Sequence, residues 1–195
     1  MTRRPAARFA LSALAILALV LPGCTTSEVS EQEKNAVLTA ADLADWGFEA
    51  PDGGAKETWK ATRWFDGSRQ IEYEYETPDG AGGDFLYLTV TVDLERRPSD
   101  SRTTYLAGQA GLSVIKMKKT IERKEVASSC DYGDECVLFL LLNEGNPVGN
   151  QFLVRTGLNV YTVQLVGLYF SEAETWHRLM APRIESVKEL PRKPS

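Results

Sequence analysis

One histidine, His177, in 195 residues limits what this chain can do near neutral pH. Histidine is the side chain whose ordinary pKa lies closest to neutrality, so general acid–base chemistry would have to come from other groups. The motifs that mark such groups are missing too. The chain has no G-x-S-x-G elbow, H-E-x-x-H pair, P-loop, Rossmann glycine pattern or EF-hand loop. His177 follows Trp176 without a partner motif, which suits an exposed or helix-packing residue better than a catalytic one. No catalytic residue, metal ligand or cofactor is therefore assigned. Positive charge is short as well: 22 Lys and Arg against 27 Asp and Glu give a net charge of −5. An acidic balance disfavours nucleic acid and anionic surfaces as partners of the whole domain.

No apolar run is long enough to cross a bilayer, which takes about 20 helical residues. The longest runs from Phe9 to Leu21, broken only by Ser12, behind Arg3, Arg4 and Arg8 and ahead of Leu21-Pro22-Gly23-Cys24. A charged n-region followed by a short apolar core reads as a signal peptide, 1–23, rather than a permanent span. Leu21-Pro22-Gly23 does not supply the A-x-A pattern of simple secretory cleavage, and Pro5-Ala6-Ala7-Arg8 does not continue a twin-arginine signal. The order resembles the lipobox of bacterial lipoproteins, with Pro22 departing from the commonest residue at its place. That resemblance implies lipidation of Cys24 and an extracytoplasmic protein anchored to the cell membrane or outer membrane. Two or more acyl chains, at about 0.8 kcal/mol per buried methylene, hold where one would not. The alternative is ordinary cleavage, leaving Cys24 a free or bonded thiol. Loss of 1–23 removes three arginines and no acid, so 19 basic residues face 27 acidic ones, a net −8.

Once Cys24 is lipidated, Cys130 and Cys136 remain, and an even pair in an oxidising compartment reads first as a disulfide. Zinc is the alternative, but without C-x-x-C or a second histidine two thiols do not make a site. Asp131, Asp134 and Glu135 between the cysteines offer hard oxygen ligands for calcium, yet their order matches no calcium loop.

Residues 24–35 are polar and read as a flexible tether, with a single domain over 36–190 and a tail at 191–195. Leu38-Thr39-Ala40-Ala41-Asp42-Leu43 carries a helix start: Thr39 as N-cap, Asp42 facing back, Leu38 stapled to Leu43, and Gly47 as the stop. Strands are expected over Thr58 to Phe65, over Ile71 to Glu76, where apolar residues alternate with Glu72, Glu74 and Glu76, and over Phe85 to Asp93. Pro98 opens a helix to about Lys116 with Leu106, Ala110 and Met117 at helical spacing, and Lys116, Lys118 and Lys119 suit its C-terminal dipole better than an anion site. Four strands follow: Thr120 to Ala127 at an edge, Cys136 to Leu142 at the centre, and Gln151 to Arg155 paired with Val160 to Val166. Ser171-Glu172-Ala173-Glu174 is a capping box before a last helix with Trp176, Leu179, Met180, Ile184 and Val187 on its inner stripe, interrupted near Ala181 by Pro182. Trp46, Trp59, Trp64 and Trp176 read as core aromatics before they read as a carbohydrate platform.

The order helix, three strands, helix, four strands, helix is an α+β fold: an antiparallel sheet of about seven strands packed against helices. Over 36–190 this order, the Leu38–Leu43 start and the late strand pair before a terminal helix resemble the PsbP and Mog1-like α/β/α sandwich. They also resemble the sensor-like outer domains of mycobacterial serine/threonine kinases. Either resemblance implies a non-enzymatic module that binds a small ligand or an envelope protein. The alternatives are a structural accessory subunit of an envelope complex and a hydrolase of unrecognised type.

Overall fold

In the stretch Ile71 to Glu76 the aliphatic and aromatic residues go inside and the glutamates stay half-buried, as period-two alternation requires. Eight strands build the protein in a computed structural model that describes residues 24–51, 54–78, 85–110, 121–127 and 132–191. They are β1 (Cys24–Ser27), β2 (Lys56–Trp64), β3 (Arg69–Glu76), β4 (Tyr87–Leu94), β5 (Ile121–Ala127), β6 (Glu135–Asn143), β7 (Asn146–Thr156) and β8 (Asn159–Val166). Helices α1 (Glu31–Asn35), α2 (Pro98–Ala110) and α3 (Ala173–Lys188) join them, with a 3₁₀ helix over Ala40–Trp46. The strand order β1-β2-β3-β4-β8-β7-β6-β5 is antiparallel throughout. Two four-stranded meanders thus share one sheet, with their final strands β4 and β8 zipped together.

The main core lies on one face, where Ile71, Tyr73, Leu88, Val90, Tyr161 and Val163 meet Trp176, Met180, Ile184 and Val187 of α3 and Leu38 and Leu43 of the N-terminal segment. On the other face α2 sets Tyr105 against Val137, Leu153 and Val160. Gly108 lets α2 approach: a Cβ there would stand 2.8 Å from the Leu153 side chain.

Several expectations are corrected. The sheet has eight strands rather than seven, because 24–35 is not a structureless tether. Cys24–Ser27 pairs with β2, and α1 starts on a capping box in which Ser30 N–H and Oγ–H donate to Glu33 at 2.8 and 2.9 Å. Polarity misleads here because these groups find partners in the fold instead of water. β6 is not central but next to the edge strand β5, and β4 and β8 hold the centre. On α2 the inward residues are Ser101 and Tyr105, while Leu106 is exposed; Met117 and the lysines after it lie outside the described residues. The Ser171 capping box does not form. Glu172 is the N-cap of α3 and makes no side-chain cap bond. Pro182 does not break α3, which runs from Ala173 to Lys188 with the inner stripe buried as expected.

Candidate functional site

Segment 36–50 crosses the α3 face and is held by two buried phenols. Tyr161 Oη accepts the Leu38 N–H at 2.6 Å and Tyr73 Oη accepts the Ala40 N–H at 3.2 Å. Burial raises both phenols above the tyrosine range, opposed by those same backbone bonds, so they stay neutral. Asp42 accepts from Thr39 N–H at 2.8 Å and Thr39 Oγ–H at 3.0 Å, which is the expected back-facing contact, although the helix that follows is 3₁₀ rather than α. Arg183 of α3 pairs with Asp42 and donates to the Asn35 carbonyl at 2.6 Å, and Gly47 at φ 95° ends the turn. The segment is therefore fixed at both ends and along its length.

Beneath it lies a cleft of about 270 Å³ lined by Ala40, Ala41, Ala44, Phe48, Tyr73 and Tyr75, with Glu57 at the rim. Phe48 meets Tyr75 edge-on at 5.8 Å, and Trp59 tilts against Tyr73 at 4.5 Å, so the aromatic side is packed before any ligand arrives. The alanines help to leave the space, because each projects only a methyl. Glu57 Oε1 accepts the Trp59 indole N–H at 3.1 Å, which holds the carboxylate in one orientation. This apolar cavity with one oriented charge falls just below the range of about 300–1,000 Å³ for ligand sites, so it suits only a small ligand. A wider groove of about 740 Å³ between β1 and α1 is lined by Trp59, but its Lys34 and Glu31 pair with each other at 2.7 Å.

The sequence-derived candidates scatter. Cys24 occupies the first position of β1, in register with Trp64. Cys136 is buried on β6 in the main core, and Cys130 and Asp131 lie outside the described residues. Arg155 takes up the remaining acids of that loop, binding Glu135 at 2.6 Å and Asp134 at 3.1 Å. No cluster of metal-ligating side chains occurs among the described residues. His177 packs edge-on against Tyr132 at 5.3 Å. Of the tryptophans, Trp176 is fully buried, Trp46 and Trp59 half-buried, and Trp64 exposed. Glu72 pairs with Lys60 at 3.3 Å on the other face.

Asp93 escaped the sequence reading. It accepts from Gln70 Nε2 at 2.7 Å on β4, and burial beside Glu95 and Glu72 pushes its carboxyl up to about 7 despite that bond. Between the ordinary carboxyl value and about 7 the native state holds the extra proton, so stability falls as pH rises through that window and is level above it. An Asp93→Asn variant keeps the acceptor and is expected to gain on the order of 1 kcal/mol at pH 8 while losing the slope. Urea midpoints at pH 4, 6 and 8 check this; equal slopes in both proteins would refute it.

No family model matches the chain, and neither a curated protein nor a solved structure is found to match it.

Proposed function

We propose that this protein is a lipid-anchored extracytoplasmic module, held to the membrane through Cys24, that binds a small ligand without turning it over. The cleft under Ala40, Ala41 and Ala44 carries the proposal, being apolar inside and bearing a single oriented carboxylate, Glu57, at its rim. Such a lining favours a compact apolar body with one donor or cationic group facing Glu57. The sheet with a helix on each face is in keeping with the resemblance to PsbP and Mog1-like sandwiches. A bridge between Cys130 and Cys136 belongs to the same reading, because an oxidising compartment would form it. Mass spectrometry of the non-reduced protein should find the two linked.

The cleft is tested by filling it. Native mass spectrometry of protein extracted from membranes is expected to show a noncovalent adduct that an Ala44→Trp variant loses. Absence of an adduct in both proteins would remove ligand binding and leave the structural subunit as the reading.

A further inference from the structure

The residue expected to carry lipid stands directly across the ladder from an exposed tryptophan. Cys24 and Trp64 are register partners, which sets their Cα atoms about 5 Å apart. Trp64 leads into the β2–β3 turn, where Phe65 comes next; the two are 46% and 68% exposed. Adjacent aromatic residues in water at one sheet corner have no role in the core, which leaves both outside. The charges around the turn are mainly cationic. Arg63 precedes it, Arg96 reaches within 3.3 Å of where a Gly67 Cβ would stand, and Arg97 acts with Arg96 on the Asp66 carboxylate. Asp66 is the acid at this exposed turn, and it is tied to its own backbone. Its Oδ1 accepts the Ser68 hydroxyl at 2.6 Å and the Ser68 N–H at 2.9 Å, bonds that hold the carboxyl below its usual range.

Tryptophan and phenylalanine beside arginine are the residues that settle at the boundary between headgroups and acyl chains. Arginine pairs bidentately with phosphate, and each basic group near an anionic surface is worth about 1 kcal/mol. The mature chain is acidic overall, so an anionic membrane is expected to meet it through a cationic, aromatic surface such as this corner. β1 begins at Cys24 itself, so no flexible stretch separates the acylated position from this corner.

We propose that the Trp64–Gly67 turn seats in the membrane, with Trp64 and Phe65 at the acyl boundary and Arg63 and Arg97 facing lipid phosphates. The proposal rests on the lipid anchor at Cys24 and goes beyond it, since it fixes how the domain stands on the bilayer. Protein extracted from membranes is reconstituted in phosphatidylethanolamine and phosphatidylglycerol vesicles containing lipid brominated on its acyl chains. Bromine should quench part of the tryptophan emission, and Trp64→Phe should lose most of that quenching. A Phe65→Ser variant, with the fluorophore intact, should reduce it. The same preparation is assayed for acyl label on Cys24. Label present without Trp64-dependent quenching overturns the seat and leaves the anchor. Quenching without label supports the seat and removes the anchor, and neither signal defeats both. Trp64 emission shifted to the blue in native membranes but not in pure lipid would assign the turn to a protein partner and overturn the lipid seat.

Discussion

A Trp176→Ala variant is expected to lose about 3–5 kcal/mol of stability, the cost of deleting a fully buried aromatic side chain. Trp176 has no exposed surface, and its ring stacks on Phe152 with centroids 5.6 Å apart while Phe170 meets it edge-on at 5.8 Å. Phe170 cannot follow the truncation and fill the space, because Asn150 grips its backbone from both sides. Asn150 Oδ1 accepts the Phe170 N–H at 2.7 Å and its Nδ2 donates to the Phe170 carbonyl at 3.0 Å. The cavity therefore stays open, which places the loss toward the upper end of the range. The indole N–H of Trp176 has no partner among the described residues, so a Trp176→Phe variant forfeits volume but no hydrogen bond and should recover most of the loss. Urea unfolding reads both variants, with the midpoint falling and the slope unchanged. An alanine variant within 1 kcal/mol of the parent would show that the stack does not hold α3 to the sheet.

The second large effect is expected at Arg69. Its guanidinium binds Glu33 through Nε at 2.6 Å and Nη2 at 3.0 Å, and it also donates to Ser27 Oγ at 2.8 Å and the Glu28 carbonyl at 3.1 Å. One side chain on β3 thus ties down β1, α1 and the link between them. Both partners are nearly buried, so Arg69→Ala strands the Glu33 carboxylate and is expected to cost about 2–3 kcal/mol at pH 7. Burial alone would raise the Glu33 carboxyl, but the bonds from Arg69 and Ser30 more than offset this and hold it low. The sign of the pH effect follows. A depressed carboxyl stabilises the native state above its unfolded value and ceases to do so as pH falls through the native one, so the deficit of the variant should shrink in acid. Hydrogen exchange should locate the damage in 24–35. Unchanged protection there would mean that β1 and α1 do not depend on the clamp.

The two sites differ in how they could be read from the chain. The inner stripe of α3 was legible because period 3.6 survives any environment that buries one side, and Trp176, Leu179, Met180, Ile184 and Val187 are all inside. The alternation of β3 was legible for the same reason. Arg69 was invisible: its partner lies 36 residues earlier in a stretch whose composition suggested solvent. Composition measures average polarity, whereas a capping box and a bidentate arginine satisfy polar groups one by one. The central place of β4 and β8 was hidden too, since β6 has the more continuous apolar run and only the long-range pairing of β4 with β8 moves it outward. The cleft left a fainter trace, three alanines at 40, 41 and 44, which read as ordinary helix-forming residues until Tyr73 and Phe48 were seen to close round them. Asp93 looked like the end of an apolar strand. Its raised carboxyl comes first from burial, with Glu95 and Glu72 beside it as smaller contributions, and the burial comes from tertiary packing that no local pattern announces.

The junction of the two meanders also sets an order of events during synthesis. Tyr87 meets Val166 and Leu94 meets Asn159, partners 79 and 65 residues apart along the chain. β2, β3 and β4 can assemble as soon as they emerge, since each pairs with its neighbour in sequence. The free side of β4 must then wait until the last strand is made. For that interval the nascent chain carries an unpaired apolar edge, Leu88, Val90 and Val92, at the middle of its eventual sheet. Pairing of β8 with β4, rather than closure of the local β7–β8 hairpin, is thus the step that covers this edge and ends its exposure to aggregation.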